Sequence, residues 1–311
     1  MPALILHIVA ISSHNHAGNP KESPIISEYP LQSISVPVLT REGNVEKLDL
    51  DTYLTGVVLA EMPASFQVDA LMAQAVVART YTLRCYEGKN KHDLAAVCMD
   101  SACCQGYCSQ EEYQLQGGKS SDIKKVRSAI RMTKNLVLTY KNELIDATYF
   151  SCSGGSTEDA VAVWGTDIPY LRATDSPGEE NASHYTDSAT FSAKELADIL
   201  ALQPTGEPAS WFGQTDYTAG GGVDEIQICG TSFQGTQLRK LLGLRSTAFT
   251  VSVDGTSVTF HTRGFGHRVG MSQYGAEAMA ASGCNFEEIL CHYYRDTELQ
   301  QYIIDKEESV G

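Results

Sequence analysis

Tyr53-Leu54-Thr55-Gly56-Val57-Val58-Leu59-Ala60-Glu61-Met62-Pro63 is the stretch whose reading decides the fold. Leu54, Val57 and Val58 fall at i, i+3 and i+4, the spacing of one helix face, and Glu61 is the next step on that stripe. Pro63 disfavours helical geometry at Met62, so the helix should stop there. Glu61 would then sit at the negative end of the helix dipole, on a face that turns inward, and both effects disfavour its ionised form. The stretch thus offers a candidate proton donor; the alternative is a surface Glu at a frayed helix end. Upstream, Ile34–Leu39 and Val45–Leu50 read as strands joined by a turn at Glu42-Gly43-Asn44, with Asp51 as the helix N-cap.

Downstream, a second helix is expected from Gln67 to Tyr86, with Val68, Leu71, Met72 and Ala75 on its apolar stripe and Arg79 one step further. A buried Arg needs an acceptor, and the choices are a backbone carbonyl, an acid other than Glu61, or a substrate; the alternative is a head that snorkels to the surface. His92–Gly118 reads as irregular. A helix at Ser121–Met132 and strands at Leu136–Tyr140 and Glu143–Phe150 follow, then the small-residue loop Ser151–Thr157, where Ser153 and Gly154 permit close approach of a ligand. Ser192–Leu200 reads as a helix, Thr205–Gly222 as a surface insertion, and Ile226–Ile228 and Phe249–Thr262 as strands, the latter with a hairpin at Asp254-Gly255. Arg263–Ala276 spaces His267, Ser272, Gln273 and Tyr274 between glycines. This polar segment is expected to form a wall near Glu61; the alternative is a tightly packed turn. Helices at Glu277–Ala281 and Ile289–Tyr294 close the chain. The fold class is α+β: a mixed, two-lobed fold with short sheets and helices around a cleft.

Composition narrows the partners. With 311 residues and a net charge of −15, the chain does not suit a nucleic-acid backbone, which needs a basic surface. Nine cysteines leave at least one outside any disulfide. The apolar run Ala3–Ile11 is shorter than the ~20 residues that span a bilayer, and no Lys or Arg precedes Lys21. It is either the tail of a membrane anchor or a short buried segment. Residues 1–30 are assigned as an N-terminal segment and linker, and residues 31–305 as the functional domain.

Four stretches in order resemble the SpoIID/LytB family of peptidoglycan-processing proteins: Val57–Pro63, Ala73–Tyr81, Ser153–Glu158 with Val163-Trp164, and Gly266–Ala276. The resemblance implies a lytic transglycosylase that cuts glycan strands already stripped of stem peptides, with Glu61 as the catalytic residue. It implies glycan contacts from Arg79, Ser153, Gly154, His267, Ser272, Gln273 and Tyr274. It further implies an extracytoplasmic, membrane-associated setting in sporulation, at the mother-cell membrane facing the forespore, and an amidase or endopeptidase partner in engulfment. The family often has His-Gly-Val-Gly-Met where this chain has Arg268 after His267, which would put a cation at the cleft rim.

His92, Cys98 and Cys104 are spaced by six and six, and the metal-binding clostridial branch of the family has a His and two Cys in this region. Zinc accepts such ligands and three would leave a fourth position open; Cys103 and Cys108 lie close by. A disulfide, or merely reduced cysteines, are the alternatives. Two other functions compete. One is a peptidoglycan-binding amidase enhancer without catalysis. The other is a zinc hydrolase, disfavoured by the lack of any His-Glu-x-x-His pattern.

Overall fold

A computed structural model of the chain describes residues 34–303 together with the strand Val9–Ala10. The rest of the 1–30 segment lies outside the described residues. The fold is mixed α+β, with several short sheets and no barrel, as the sequence led us to expect. It divides into two compact units. The first comprises the chain up to Ala64, Ala75–Asp146 and the stretch from Thr297; the second comprises Ser65–Gln74 and Ala147–Asp296.

In the first unit, Ser35–Leu39 pairs antiparallel with Val45–Asp49 and parallel with Val97–Cys98. Helix α1, Leu50–Glu61, follows at once. Its N-cap is Asp49, whose carboxylate accepts from Thr52 N–H at 3.1 Å, two residues before the cap expected from sequence. The helix ends where Pro63 dictates: Met62 is extended, at φ −125° and ψ 140°. The apolar stripe proved too narrow a description, because Tyr53 to Leu59 are all buried. Helix α2, Val68–Arg84, contributes its residues from Ala75 onward to this unit. Helix α3, Gln110–Leu115, closed by a Ser109/Glu112 capping box, lies in the stretch read as irregular. Helix α4, Ser120–Met132, packs on α1 and buries Ile123, Val126, Ala129 and Ile130. Arg79 is 1% exposed and donates to the carbonyls of Thr133 (2.8 Å), Ile130 (3.1 Å) and Leu136 (3.2 Å). Its guanidinium therefore closes the C-terminal end of α4, where carbonyls lack helical donors. Burial lowers its pKa to about 10, which leaves it cationic at neutral pH. A second sheet places Leu136–Tyr140 between Glu143–Leu144 and Glu298–Gln301, with Val9–Ala10 at its far edge.

The second unit has two three-stranded sheets. One orders Phe249–Asp254, Ser257–Arg263 and Thr186–Ser192; the other orders Thr231–Gln234, Val223–Ile228 and Phe212–Tyr217. The segment Thr205–Gly222 is thus no mere insertion, since it supplies an edge strand. Glu143–Phe150 also differs from expectation: only Glu143–Leu144 continues the hairpin, while Tyr149–Phe150 leaves to pair parallel with Met271–Ser272. Phe260 is fully buried and meets Phe191, Phe212 and Phe249 edge-on, at centroid distances of 6.1, 6.4 and 5.5 Å.

Two buried carboxylates tie the glycine-rich loops of this unit together. Glu179 accepts from Ser153 N–H (2.6 Å), Gly154 N–H (3.1 Å), Ser153 Oγ (2.9 Å), Ser176 Oγ (2.5 Å) and Cys152 Sγ (3.1 Å). Burial first, and then the Glu179 charge, push the Cys152 thiol up to about 12, so it stays a protonated donor. Glu158 accepts from Gly222 N–H, Thr218 Oγ1 and Arg268 Nη1, the last at 3.0 Å. Arg268 is not at a rim. It is 1% exposed, and it also donates to the carbonyls of Ser153, Ser156 and Gly220. Removing one member of a buried ion pair costs about 3–5 kcal/mol, because the other charge is stranded. Arg268→Met should lower unfolding stability by that amount in urea titration, and adding Glu158→Gln should restore much of the loss.

Candidate functional site

Glu61 is the last residue of α1 and is half-buried. It lines a pocket of about 460 Å³ with Arg41, Ala60, Met99, Asp100, Ser101, Gly106 and Tyr107. Gly106 N–H donates to Glu61 Oε1 at 2.6 Å. That donor orients the carboxyl group at the helix end. A Cβ on Gly106 would lie 2.9 Å from Glu61 Oε1, so only glycine lets the backbone come this near without displacing the carboxylate. Neighbouring contacts fix the segment. Tyr107 stacks on Tyr53 at 5.7 Å, Cys108 N–H donates to Gly56 O at 3.1 Å, and Arg41 donates to the Tyr107 carbonyl and, at 3.2 Å, to Glu112.

The same loop carries the cysteine cluster. Ligand atoms of His92, Cys98, Cys103 and Cys104 all lie within 4.8 Å of one another, a group that could hold a metal ion. His92 Nε2 is 3.6 Å from Cys103 Sγ and 3.5 Å from Cys104 Sγ, and those two sulfurs are 3.9 Å apart. A tetrahedral ion bound at about 2.3 Å to sulfur and about 2.0 Å to nitrogen requires edges of about 3.8 Å between sulfurs and about 3.5 Å between sulfur and nitrogen. The spacings among His92, Cys103 and Cys104 fit, and Cys98 lies within 4.8 Å of each. All nine cysteines are free thiols. Burial pushes Cys98 up to about 12 and also raises Cys103, so these thiols keep their protons unless a cation displaces them. Cys103 joins the three residues of the six-and-six spacing in this group; its adjacency to Cys104 was the available signal.

Apart from Arg79, which is buried in the first unit, the remaining residues expected at the site belong to the second unit. Ser153 and Gly154 are buried, and Glu179 takes both their N–H groups and the Ser153 hydroxyl. Ser272 is fully buried and caps the helix Gln273–Ala281, accepting from Gly275 N–H at 3.2 Å; Gln273 is 5% exposed. The helix thus starts four residues earlier than read from sequence. His267 and Tyr274 are half-buried. Tyr274 meets Phe66 edge-on, and His267 lies among Phe150 and Trp164.

Comparison with known proteins places the chain. A family model described as stage II sporulation protein matches residues 40–140, which include Glu61 and the cysteine cluster. The stage II sporulation protein D of Bacillus subtilis (strain 168) is 38% identical over 274 residues, covering 86% of this chain and 79% of that protein. The chain belongs to the stage II sporulation protein D family. The stage II sporulation protein D of Bacillus amyloliquefaciens is 37% identical, over 89% of this chain and 81% of its own. An amidase enhancer of Bacillus subtilis (strain 168) is 30% identical, over 80% of this chain and 40% of its own. In this family member, sequence reasoning missed Arg41, Gly106, Tyr107 and Glu179. None carries a local pattern, because each gains its role from residues far along the chain. Among the described residues, no helix is long and apolar enough to cross a membrane.

His267 carries a pH dependence. Burial, and then the charge of Arg239, lower its pKa from 6.5 to about 4, so it is neutral at pH 7. A proton then binds the unfolded chain more tightly than the folded one, and the stabilisation present above about pH 6.5 is lost as pH falls toward 4. Thermal melts across that range should show a falling midpoint, and His267→Gln should flatten the slope.

Proposed function

We propose that the chain is a lytic transglycosylase that cuts peptide-stripped peptidoglycan glycan strands to 1,6-anhydro products during sporulation. It acts outside the cytoplasm, at the mother-cell membrane facing the forespore, after an amidase or endopeptidase partner has removed the peptides. The observation that carries the reading is Glu61 at the end of α1, lining an open pocket with its carboxylate oriented by Gly106 N–H at 2.6 Å. In its acid form Glu61 donates a proton to the glycosidic oxygen as the bond to C1 breaks. The resulting carboxylate takes the proton from the C6 hydroxyl of the same sugar, whose oxygen closes on C1. No water enters, and one carboxylate serves both steps, unlike the two-carboxylate arrangement of ordinary glycosidases. His267 and Tyr274, the half-buried members of the second-unit set, remain the candidates there for direct glycan contact. Ser153, Gly154, Ser272 and Gln273 support that surface from beneath.

Zinc is the ion assigned to His92, Cys98, Cys103 and Cys104, because imidazole and thiolates in a tetrahedral array suit it. Four protein donors leave no open position, so bound zinc would supply a cross-link in the loop that carries Gly106 rather than a reactive centre. Elemental analysis of reduced protein should give about one zinc per chain, and Cys98→Ser or Cys103→Ser should release it. Stoichiometric zinc retained in a variant lacking His92, Cys98 and Cys104 would overturn the assignment.

A second reading is favoured by the 30% identity to an amidase enhancer: the chain binds glycan and stimulates an amidase without cutting. Incubation with peptide-free strands and mass analysis separates the two. Anhydro ends are expected from the wild type. Glu61→Gln keeps shape and hydrogen bonding but cannot shuttle a proton, and should slow cleavage by about 10⁴. Cleavage by Glu61→Gln at the wild-type rate refutes the role of Glu61, and uncut strands with wild type favour the enhancer.

A further inference from the structure

The second unit holds a pocket that the chemistry of Glu61 does not use. Its volume is about 600 Å³, inside the range of about 300–1,000 Å³ common for small-ligand sites. It opens where Thr186–Ser192, Ser257–Arg263 and Phe249–Asp254 share one end, beside Tyr217 and Gly221, and none of its lining residues lines the pocket of Glu61. Thr186, Ser188 and Thr250 bring hydroxyls to it. Tyr217 is 58% exposed and lines it with an aromatic ring that no core contact claims. Arg263, also exposed, stands at the end of its strand.

Its charge runs against that of the molecule. Asp187 is the carboxylate of the lining, and Arg245 Nε already meets it at 2.7 Å, while the Arg245 guanidinium stacks over Phe265 at 4.7 Å. Arg263 is thus a second guanidinium against one carboxylate, in a chain of net charge −15. A protein so acidic repels polyanions except where cations are gathered locally. The strand end at Arg263 also packs on the small-residue loop: a Cβ on Gly154 would lie 2.7 Å from the Arg263 carbonyl carbon.

We infer that this pocket binds the carboxylate-bearing sugar of a peptide-free glycan strand, with Arg263 on the carboxylate and Tyr217 against the sugar face. The inference rests on the glycan reading above and adds to it a basis for choosing stripped strands. Removing a stem peptide from N-acetylmuramic acid replaces an amide with a free carboxylate on every second sugar. A guanidinium pairs with that carboxylate through two parallel N–H bonds, and has no such partner in the amide. The hydroxyls and the ring recognise sugar in either form.

The test uses the full chain carrying Glu61→Gln, so that cleavage does not intrude. Calorimetry measures its binding to a peptide-free tetrasaccharide of alternating N-acetylglucosamine and N-acetylmuramic acid, and to the same tetrasaccharide with each carboxylate converted to a primary amide. Arg263→Ala should weaken the acid form about tenfold or more and leave the amide form unchanged. Tyr217→Ala should weaken both. Both side chains are exposed, so the variants should fold, and unchanged thermal melts verify this. Unaltered affinity of Arg263→Ala for the acid form overturns the inference while leaving the role of Glu61 standing. Cleavage by Glu61→Gln at the wild-type rate sinks the catalytic reading and leaves the binding comparison valid. No binding of either oligosaccharide by the parent overturns the subsite and the glycan reading together.

Discussion

One backbone N–H, that of Gly106, reaches the carboxylate of Glu61 at 2.6 Å, and much of the first unit serves to hold it there. The segment has no regular structure of its own between Val97–Cys98 and α3. Its position comes from outside: cysteines before Gly106, the Tyr107 ring on Tyr53 after it, and Arg41 on the Tyr107 carbonyl. An irregular loop held this way keeps a donor in place without a sheet or helix to carry it. Side chains locked from several directions are what a group that must meet a reacting atom requires.

The second unit solves a similar problem with charge. Its loops are rich in small residues, which give close approach but little intrinsic stiffness. Glu158 and Glu179 supply the stiffness by gathering N–H and O–H donors from chain segments that are distant in sequence. Such a buried network favours one arrangement, because any other would leave these charges with fewer partners.

Helix positions were legible where local chemistry is decisive. Pro63 stopped α1 at Glu61, and the Asp254-Gly255 pair marked its hairpin. The helix-end, partly buried position of Glu61 was legible because an apolar stripe ran into it. Errors arose where partners lie far away in sequence. Tyr149–Phe150 follows a hairpin strand in the chain but pairs with Met271–Ser272, which no local pattern reveals. The polar, glycine-spaced run after Arg263 read as a close-packed polar wall. Much of it is buried, because polar groups can enter a core when each finds a partner there. Ser153 and Ser272 are such cases: one is fixed by Glu179, the other caps a helix. Arg79 followed the physical expectation that a buried guanidinium seeks acceptors, here backbone carbonyls.

Arg268 occupies a left-handed backbone position, φ +65°, which glycine would adopt without strain. A non-glycine residue there carries a backbone strain of about 1 kcal/mol or more, which the guanidinium offsets by neutralising Glu158. Glycine at this site would relax the chain yet strand an anion in the interior. Within this chain the two positions are therefore coupled: exchanging Arg268 for glycine calls for a neutral residue at 158 or a cation brought from elsewhere, and neutralising Glu158 first avoids passing through a stranded carboxylate.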